Sequence, residues 1–360
     1  MVKKEWRGRA SDRVIVVEDA ALHQQHSPAL EALVLDERYS WVRQRGLHAS
    51  REHDSIRLYH LLFWAFDLVA VWGCLKYWVW FLLKRPKGRD QLGLGILGTV
   101  FFGGVHPLLK IAHEGVTSWT ALAVLYAAPL VGKHKTGWRW AVFRLWMGHP
   151  ECQAVRNRLL DVADRVHDEL ERLWATRRDQ EIHIASLACG SAAAVLWATW
   201  YFCQARPTAR VRVTLVDLDA YSLEMANRLA AELGLSVRTL EVNIGVFIRQ
   251  CQASGEKFAL IDETGFLDYR PDAAFVENCR TVRQIIEPGG LFLAAQIGHS
   301  RTQAHRKWTI GWLMLIPRSS KRLRELLEQS GYAQAQIDEG TEPNGIYHLA
   351  ACRVAACQAE

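Results

Sequence analysis

The chain has no two cysteines in C-x-x-C spacing, no G-x-G-x-x-G at a strand-to-helix turn (the one match, 93–98, falls inside an apolar run), and no basic surface interleaved with aromatics as a nucleic-acid partner would need. Each absence removes a class of protein. The eight cysteines (Cys74, Cys152, Cys189, Cys203, Cys251, Cys279, Cys352 and Cys357) are scattered, several inside apolar runs. A zinc site needs paired ligands at short spacing, and a disulfide framework belongs to a small secreted chain. Reduced, mostly buried thiols facing the cytosol are therefore expected, and no metal site. Without the glycine fingerprint between a strand and a helix, a dinucleotide-dependent dehydrogenase loses its main support. A net charge of +6 over 360 residues is modest, and without interleaved aromatics it does not make a nucleic-acid surface, so no nucleic-acid partner is expected. The opening MVKKEWRGRASDRVIVVEDA is charged but lacks an apolar core followed by small residues, so no signal peptide is expected.

What is present is apolar residue in quantity: 50% hydrophobic against 23% charged, ample for burial and unlike a disordered chain. The length allows two domains or one domain with an appendage. Composition divides the chain into residues 1–57, of unclear fold apart from a strand-like DRVIVVED; 58–132, hydrophobic helices; 133–180, a basic segment and helical connector; and 181–360, a catalytic domain.

Three apolar runs fall in the second segment: Tyr59–Leu83, Leu92–Ala112 and Val116–Val131. Roughly 20 apolar residues span a bilayer as a helix. The second and third runs are near that limit, and their near-continuous apolarity is unlike a one-faced stripe. The first carries Asp67 and Lys76 among Trp64, Trp72, Trp78 and Trp80, which suits a helix at headgroup level. Lys84, Arg85, Lys87 and Arg89 precede the second run, and Lys133, Lys135, Arg139 and Arg144 follow the third. The positive-inside rule then makes a membrane hairpin with His113 and Glu114 outside and the following domain on the cytoplasmic side.

From Pro150 the pattern is helical, with Leu159, Val162, Val166, Leu170 and Leu173 on one stripe. Beyond it, strand-like runs at 182–188, 211–218, 237–243, 257–263 and 291–297 alternate with helical patterns, and the tail reads as two strands joined by EPNG. Such alternation implies a parallel sheet with helices on both faces, its ligands bound past the carboxyl ends of the strands. The stretch AAAVLWATWYFC is too short to span a bilayer and is expected to pack on the sheet.

The first strand runs into SLACGSA (186–192), small residues that let backbone approach a ligand at a helix N-terminus. The second ends in Asp217, 27 residues after Gly190, where a carboxylate can accept both ribose hydroxyls of an adenosine. Asp219 fits a helix cap equally well. Taken with LEVN, FALIDETGFLDY and EPGGLFLAA in order, these segments resemble class I S-adenosylmethionine (SAM) methyltransferases over about residues 182–355. The resemblance implies a Rossmann-like α/β domain with a seven-stranded sheet, preceded here by an α-helical membrane-associated region. It implies SAM as cofactor and a methionine-side loop containing Ser186, Ala188, Cys189 and Gly190. It places the ribose on Asp217 beside Leu218, adenine at Asn243 and Ile244, and a floor near the sulfonium at Asp262 and Glu263. The sequence departs from the family at Ser186, where an acid is usual, and at Ala188 and Ala192, where glycine is common. LACG, GFLDY and the later WLMLIPRS also resemble a bacterial branch that includes the 3-hydroxypalmitic acid methyl ester synthases, which implies a fatty-acid carboxylate as acceptor.

Methyl transfer is an in-line displacement, so positioning matters most and a base only where the acceptor must lose a proton. Candidates past the strand ends are Asp268, Tyr269 and His299, with Gln296 near them. Arg301, His305 and Arg306 form a basic group after His299 that suits an anionic head group, or else a solvated loop beside a membrane. The function expected is a membrane-associated methyltransferase acting on a small-molecule or lipid-like acceptor. The alternatives are a catalytically silent methyltransferase fold serving as a membrane scaffold or assembly protein, and a related aminopropyltransferase.

Overall fold

The computed structural model describes residues 106–355 apart from 115–118, 132–135, 179, 301, 304–305 and 307–313, together with Leu75 and Val79. Residues 1–57, the first apolar run beyond those two positions and most of the second lie outside the described residues.

Seven strands form: β1 (Ile182–Leu187), β2 (Val211–Asp217), β3 (Val237–Glu241), β4 (Phe258–Glu263), β5 (Ile286–Ile297), β6 (Ile337–Thr341) and β7 (Tyr347–Arg353), the central ones from short apolar runs buried on both faces and the outer β3 and β6 more polar. Their spatial order is β3-β2-β1-β4-β5-β7-β6. The first five are parallel, and β7 inserts antiparallel between β5 and β6. The sheet is therefore mixed, because the terminal hairpin adds its second strand, not its first, to β5. β5 also begins earlier than the sequence suggests. The Pro-Gly-Gly segment lies inside it, with Gly289 at φ 76° and the pairing with β4 shifted between Phe258 and Leu260. The Gly289 N–H donates to the Val354 carbonyl and the Val354 N–H to that of Gly290, so the irregular turn still has its backbone bonds.

The helices are α1 (Pro107–Glu114), α2 (Trp119–Val131), α3 (Trp138–Met147), α4 (Pro150–Thr176), α5 (Ala193–Ala205), α6 (Ala220–Glu232), α7 (Ile244–Ser254), α8 (Asp272–Arg283) and α9 (Ser320–Gln329). One core joins α1 through α6 to a face of the sheet, and a second joins α7, α8 and α9 to the other. The starts of the helices follow their sequence signals. Pro150 opens α4, where the His149 ring accepts from the Glu151 N–H at 3.3 Å. Asp219 caps α6, accepting from the Tyr221 N–H and the Ser222 hydroxyl. The apolar helix α5 packs on the sheet as expected, with Val195, Leu196, Trp197, Ala198 and Phe202 all buried.

The described part of the expected membrane hairpin packs as protein core, and most of its first arm lies outside the described residues. α1 and α2, the described parts of the second and third apolar runs, hold 8 and 13 residues. Leu108, Leu109 and Ala112 of α1, and Trp119, Ala123, Val124, Leu125 and Tyr126 of α2, belong to the same core as the sheet. No described helix is long and apolar enough to cross a membrane. A helix enclosed on several sides by protein is as evenly apolar as one enclosed by lipid, and that identity of pattern produced the expectation.

Candidate active site

The strand order reverses between β1 and β4: β2 and β3 follow β1 on one side, and β4 and β5 extend on the other. A crevice opens at the carboxyl ends of strands at such a point. The residues facing it come from Ser186 on β1, Asp262 on β4, the turn after β1 and the end of β2. Ser186 and Asp262 are register partners, and the Ser186 hydroxyl donates to Asp262 Oδ2 at 2.7 Å. Asp262 is buried, and its Oδ1 meets no hydrogen-bond donor among the described residues. Burial pushes its carboxyl pKa up, while the hydroxyls of Ser186 and Thr264 and the charge of Arg158 hold it down.

The turn after β1 alternates into left-handed backbone at Ala188 (φ 46°), Gly190 (φ 52°) and Ala192 (φ 50°). Alanine thus holds left-handed backbone at two of these three positions, at a cost of order 1 kcal/mol for each. The Gly190 N–H donates to Asp217 Oδ2 at 2.8 Å and the Asp219 N–H to Oδ1 at 3.0 Å. Each carboxylate oxygen keeps a lone pair for a ligand. Burial raises the pKa of Asp217, against the two backbone donors. Cys189 sits between the acids. Burial, then the charges of Asp217 and Asp262, push its thiol well above the usual range, so it stays protonated. Trp119 lies across the turn, its Cβ 3.8 Å from where a Gly190 side chain would begin, and its ring is 5.3 Å from that of Tyr221.

The other residues expected by resemblance separate into those the fold gathers here and those it does not. Leu218, beside Asp217, is 60% exposed, and Ile244 is buried at the start of α7 nearby. Asn243 is exposed and accepts from the Gly245 N–H at 2.9 Å as the cap of α7. Glu263 points to the opposite face of the sheet from Asp262, as consecutive strand residues must. There its Oε2 accepts from the Asn278 amide of α8 at 2.7 Å, and burial drives its pKa up to about 8. It therefore lies away from the crevice.

Asp268 is held as a structural tie. The Ile297 N–H at the end of β5 donates to its Oδ1 at 2.6 Å, and Arg158 lies 3.7 Å from its Oδ2. Burial raises its pKa to about 6 against the charge of Arg158. Its own carbonyl accepts from Ile316, and Arg318 donates to the Leu267 carbonyl, so the GFLDY segment is tied to residues 316–318 behind β5. Tyr269 packs on the α4 side of the sheet, close enough to Tyr347 to act on its ionisation. His299 is exposed past β5, beside His348. The basic group after it is broken up: Arg306 is buried and paired with Glu151 at 3.1 Å, while Arg301 and His305 lie outside the described residues.

Sequence reasoning missed α4 as a source of site residues. Arg158 faces the sheet, its guanidinium 4.6 Å from the Tyr347 ring centre and 3.7 Å from Asp268, and its charge also acts on Asp262. Glu151 and Arg158 sit seven residues apart, on the face that continues the Leu159–Leu173 stripe, and a charge on a buried stripe was the available signal. On the same face of the sheet a small chamber lies between Ala121 and Leu125 of α2, Val155 of α4, Leu315, and Ile297 and Tyr347 at the paired ends of β5 and β7.

The seven-stranded mixed sheet with its inserted antiparallel strand and switch-point crevice is a Rossmann-like α/β fold. No family model matches the chain, and no curated protein matches it. Among solved structures, a possible exported protein from Bordetella parapertussis is similar at 15% identity and a TM-score of 0.51, with 81% of this chain and 97% of that one covered. An O-methyltransferase family protein from Burkholderia thailandensis aligns at 13% identity and TM-score 0.44, covering 71% and 73%. Magnesium protoporphyrin IX methyltransferase from Synechocystis PCC 6803 aligns at 12% and 0.41, covering 56% and 87%. At such identity the first likeness is one of fold, and the other two carry no further weight.

Proposed function

We propose that the chain is a SAM-dependent methyltransferase acting on a small-molecule acceptor. The observation that carries this is the crevice at the switch point: a left-handed turn tied by the Gly190 N–H to Asp217, with the buried, half-satisfied carboxylate of Asp262 facing it. The residues fit that cofactor. Asp217 offers one free lone pair on each oxygen to a pair of ribose hydroxyls. Leu218 and Ile244 offer apolar surface to a base. Asp262 Oδ1 suits a cationic amine or sulfonium. Ser186, which replaces the family's usual acid, hydrogen-bonds this carboxylate, so a negative charge is kept in the crevice although it is supplied from β4 in place of β1.

When bound, the cofactor supplies an electrophilic methyl group on a sulfonium. The chain's part is positioning and exclusion of water: Trp119 covers the turn, and α2 and α4 close the same face of the sheet. Calorimetry of the full chain with SAM and with S-adenosylhomocysteine tests the assignment. Asp217→Ala removes a charged acceptor, about 1.5–3 kcal/mol per bond, and is expected to weaken both ligands at least tenfold. A folded protein that binds neither ligand sinks the proposal. Binding without transfer of labelled methyl to any small-molecule extract assigns the silent-scaffold role instead.

A further inference from the structure

Trp119, at the start of α2, is 3% exposed, and its indole N–H meets no acceptor among the described residues. A buried donor without an acceptor is rare in a folded protein and calls for a reason. Its place in the fold supplies one. The Cβ lies 3.8 Å from where a Gly190 side chain would begin, and the ring centre is 5.3 Å from that of Tyr221 in the first turn of α6. The indole therefore runs from the turn that opens α5 toward the start of α6, beside the carboxyl end of β2. A second set of donors stands at the same turn. α5 runs for 13 residues, and no side chain caps it, because Ala192 at its start carries only a methyl group. Its first turn closes with the Leu196 N–H on the Ala192 carbonyl, so the N–H groups of residues 193–195 have no partner within the helix. The partial positive charge of a helix start adds to them.

The crevice thus has two poles. Asp217 and the half-satisfied Asp262 make one end acidic, and the indole N–H with the start of α5 makes the other a cluster of donors. An amino-acid tail carries an ammonium and a carboxylate on one carbon. Its ammonium suits the acids, which repel its carboxylate toward the donors. From this we infer that Trp119 is a specificity residue for the cofactor, its indole N–H holding the carboxylate of the amino-acid tail together with the start of α5. The inference deepens the methyltransferase proposal and rests on it. The donor comes from the helical segment before the sheet and from none of the strand-to-helix loops, so that segment takes part in choosing the ligand. A tail without its carboxylate, such as an aminopropyl donor carries, leaves these donors buried and unfilled, and a site built to hydrogen-bond a group discriminates strongly against an analogue that lacks it.

The test compares three nucleosides by calorimetry on the full chain: S-adenosylhomocysteine, its decarboxylated analogue S-adenosyl-3-thiopropylamine, and methylthioadenosine, which lacks the amino-acid group altogether. Wild type is expected to bind S-adenosylhomocysteine at least tenfold more tightly than the decarboxylated analogue. Trp119→Phe keeps an aromatic ring beside Tyr221 and loses the N–H. It should weaken S-adenosylhomocysteine at least fivefold and leave the other two nucleosides unchanged. If that variant does not fold, the ¹H–¹⁵N indole signals of tryptophan-labelled wild type serve: one is expected to move on adding S-adenosylhomocysteine and to stay in place with the decarboxylated analogue. Equal binding of the two by wild type, a variant that weakens all three nucleosides alike or none, or indole signals that respond identically to both ligands, overturns the inference and leaves the methyltransferase proposal standing. Binding of none of the three sinks that proposal, and this inference with it.

Discussion

Glu263 holds its proton near neutrality because it is buried with a single hydrogen-bond partner, Asn278, and its Oε1 is unsatisfied among the described residues. In the unfolded chain the same group ionises at its ordinary value of 4.5, whereas in the folded chain it does so at about 8. Its contribution to stability is therefore fully present below pH 4.5 and is lost as pH rises through about 8. Each pH unit across that window costs about 1.4 kcal/mol, so the whole window amounts to about 5 kcal/mol, an upper figure that relaxation around the group reduces. Glu263→Gln keeps an acceptor for Asn278 and cannot ionise. Urea unfolding of wild type and variant at half-unit intervals from pH 5 to 9 measures the difference. The variant is expected to gain steadily on wild type as pH rises and then to run parallel above pH 8, with equal denaturant slopes throughout. Two curves that stay parallel from pH 5 to 8 would falsify the reasoning, because Glu263 would then ionise alike in both states.

Ala188→Gly and Ala192→Gly should each raise the melting temperature by about 2–4 °C in calorimetric scans. Relief of the left-handed penalty, about 1–2 kcal/mol, outweighs the ~0.5–1 kcal/mol entropy of an added glycine, and a fall in melting temperature at both sites would show the turn to be unstrained. Ser186→Asp alone sets a second carboxylate against Asp262 and should weaken S-adenosylhomocysteine binding and stability together, through like-charge repulsion. Adding Asp262→Asn returns the single charge to β1, and calorimetry should find affinity restored to within about fivefold of wild type, roughly 1 kcal/mol. A double variant as weak as Ser186→Asp would remove Asp262 from the proposed site.

The strands and their order of appearance were legible because short aliphatic runs bounded by helical patterns have few other uses, and Asp217 was legible because it ends one of them. The orientation of Glu263 was available too, since two adjacent strand residues cannot both face one crevice. Three features were hidden for physical reasons. An evenly apolar helix such as α2 has the same sequence whether protein or lipid surrounds it. Asp268 lies where a catalytic acid would be expected, and only tertiary structure shows its carboxylate turned inward to the Ile297 N–H and Arg158. The pairing of Arg306 with Glu151 joins residues 155 apart in the chain, beyond any local pattern, although the charge of Glu151 on the α4 stripe gave half of it.

α2 touches both the crevice and the chamber, with Trp119 over the Gly190 turn and Ala121 and Leu125 on the chamber wall. Any displacement of this helix that makes room above Gly190 also moves the wall beside Arg306, so the crevice and the chamber cannot open independently.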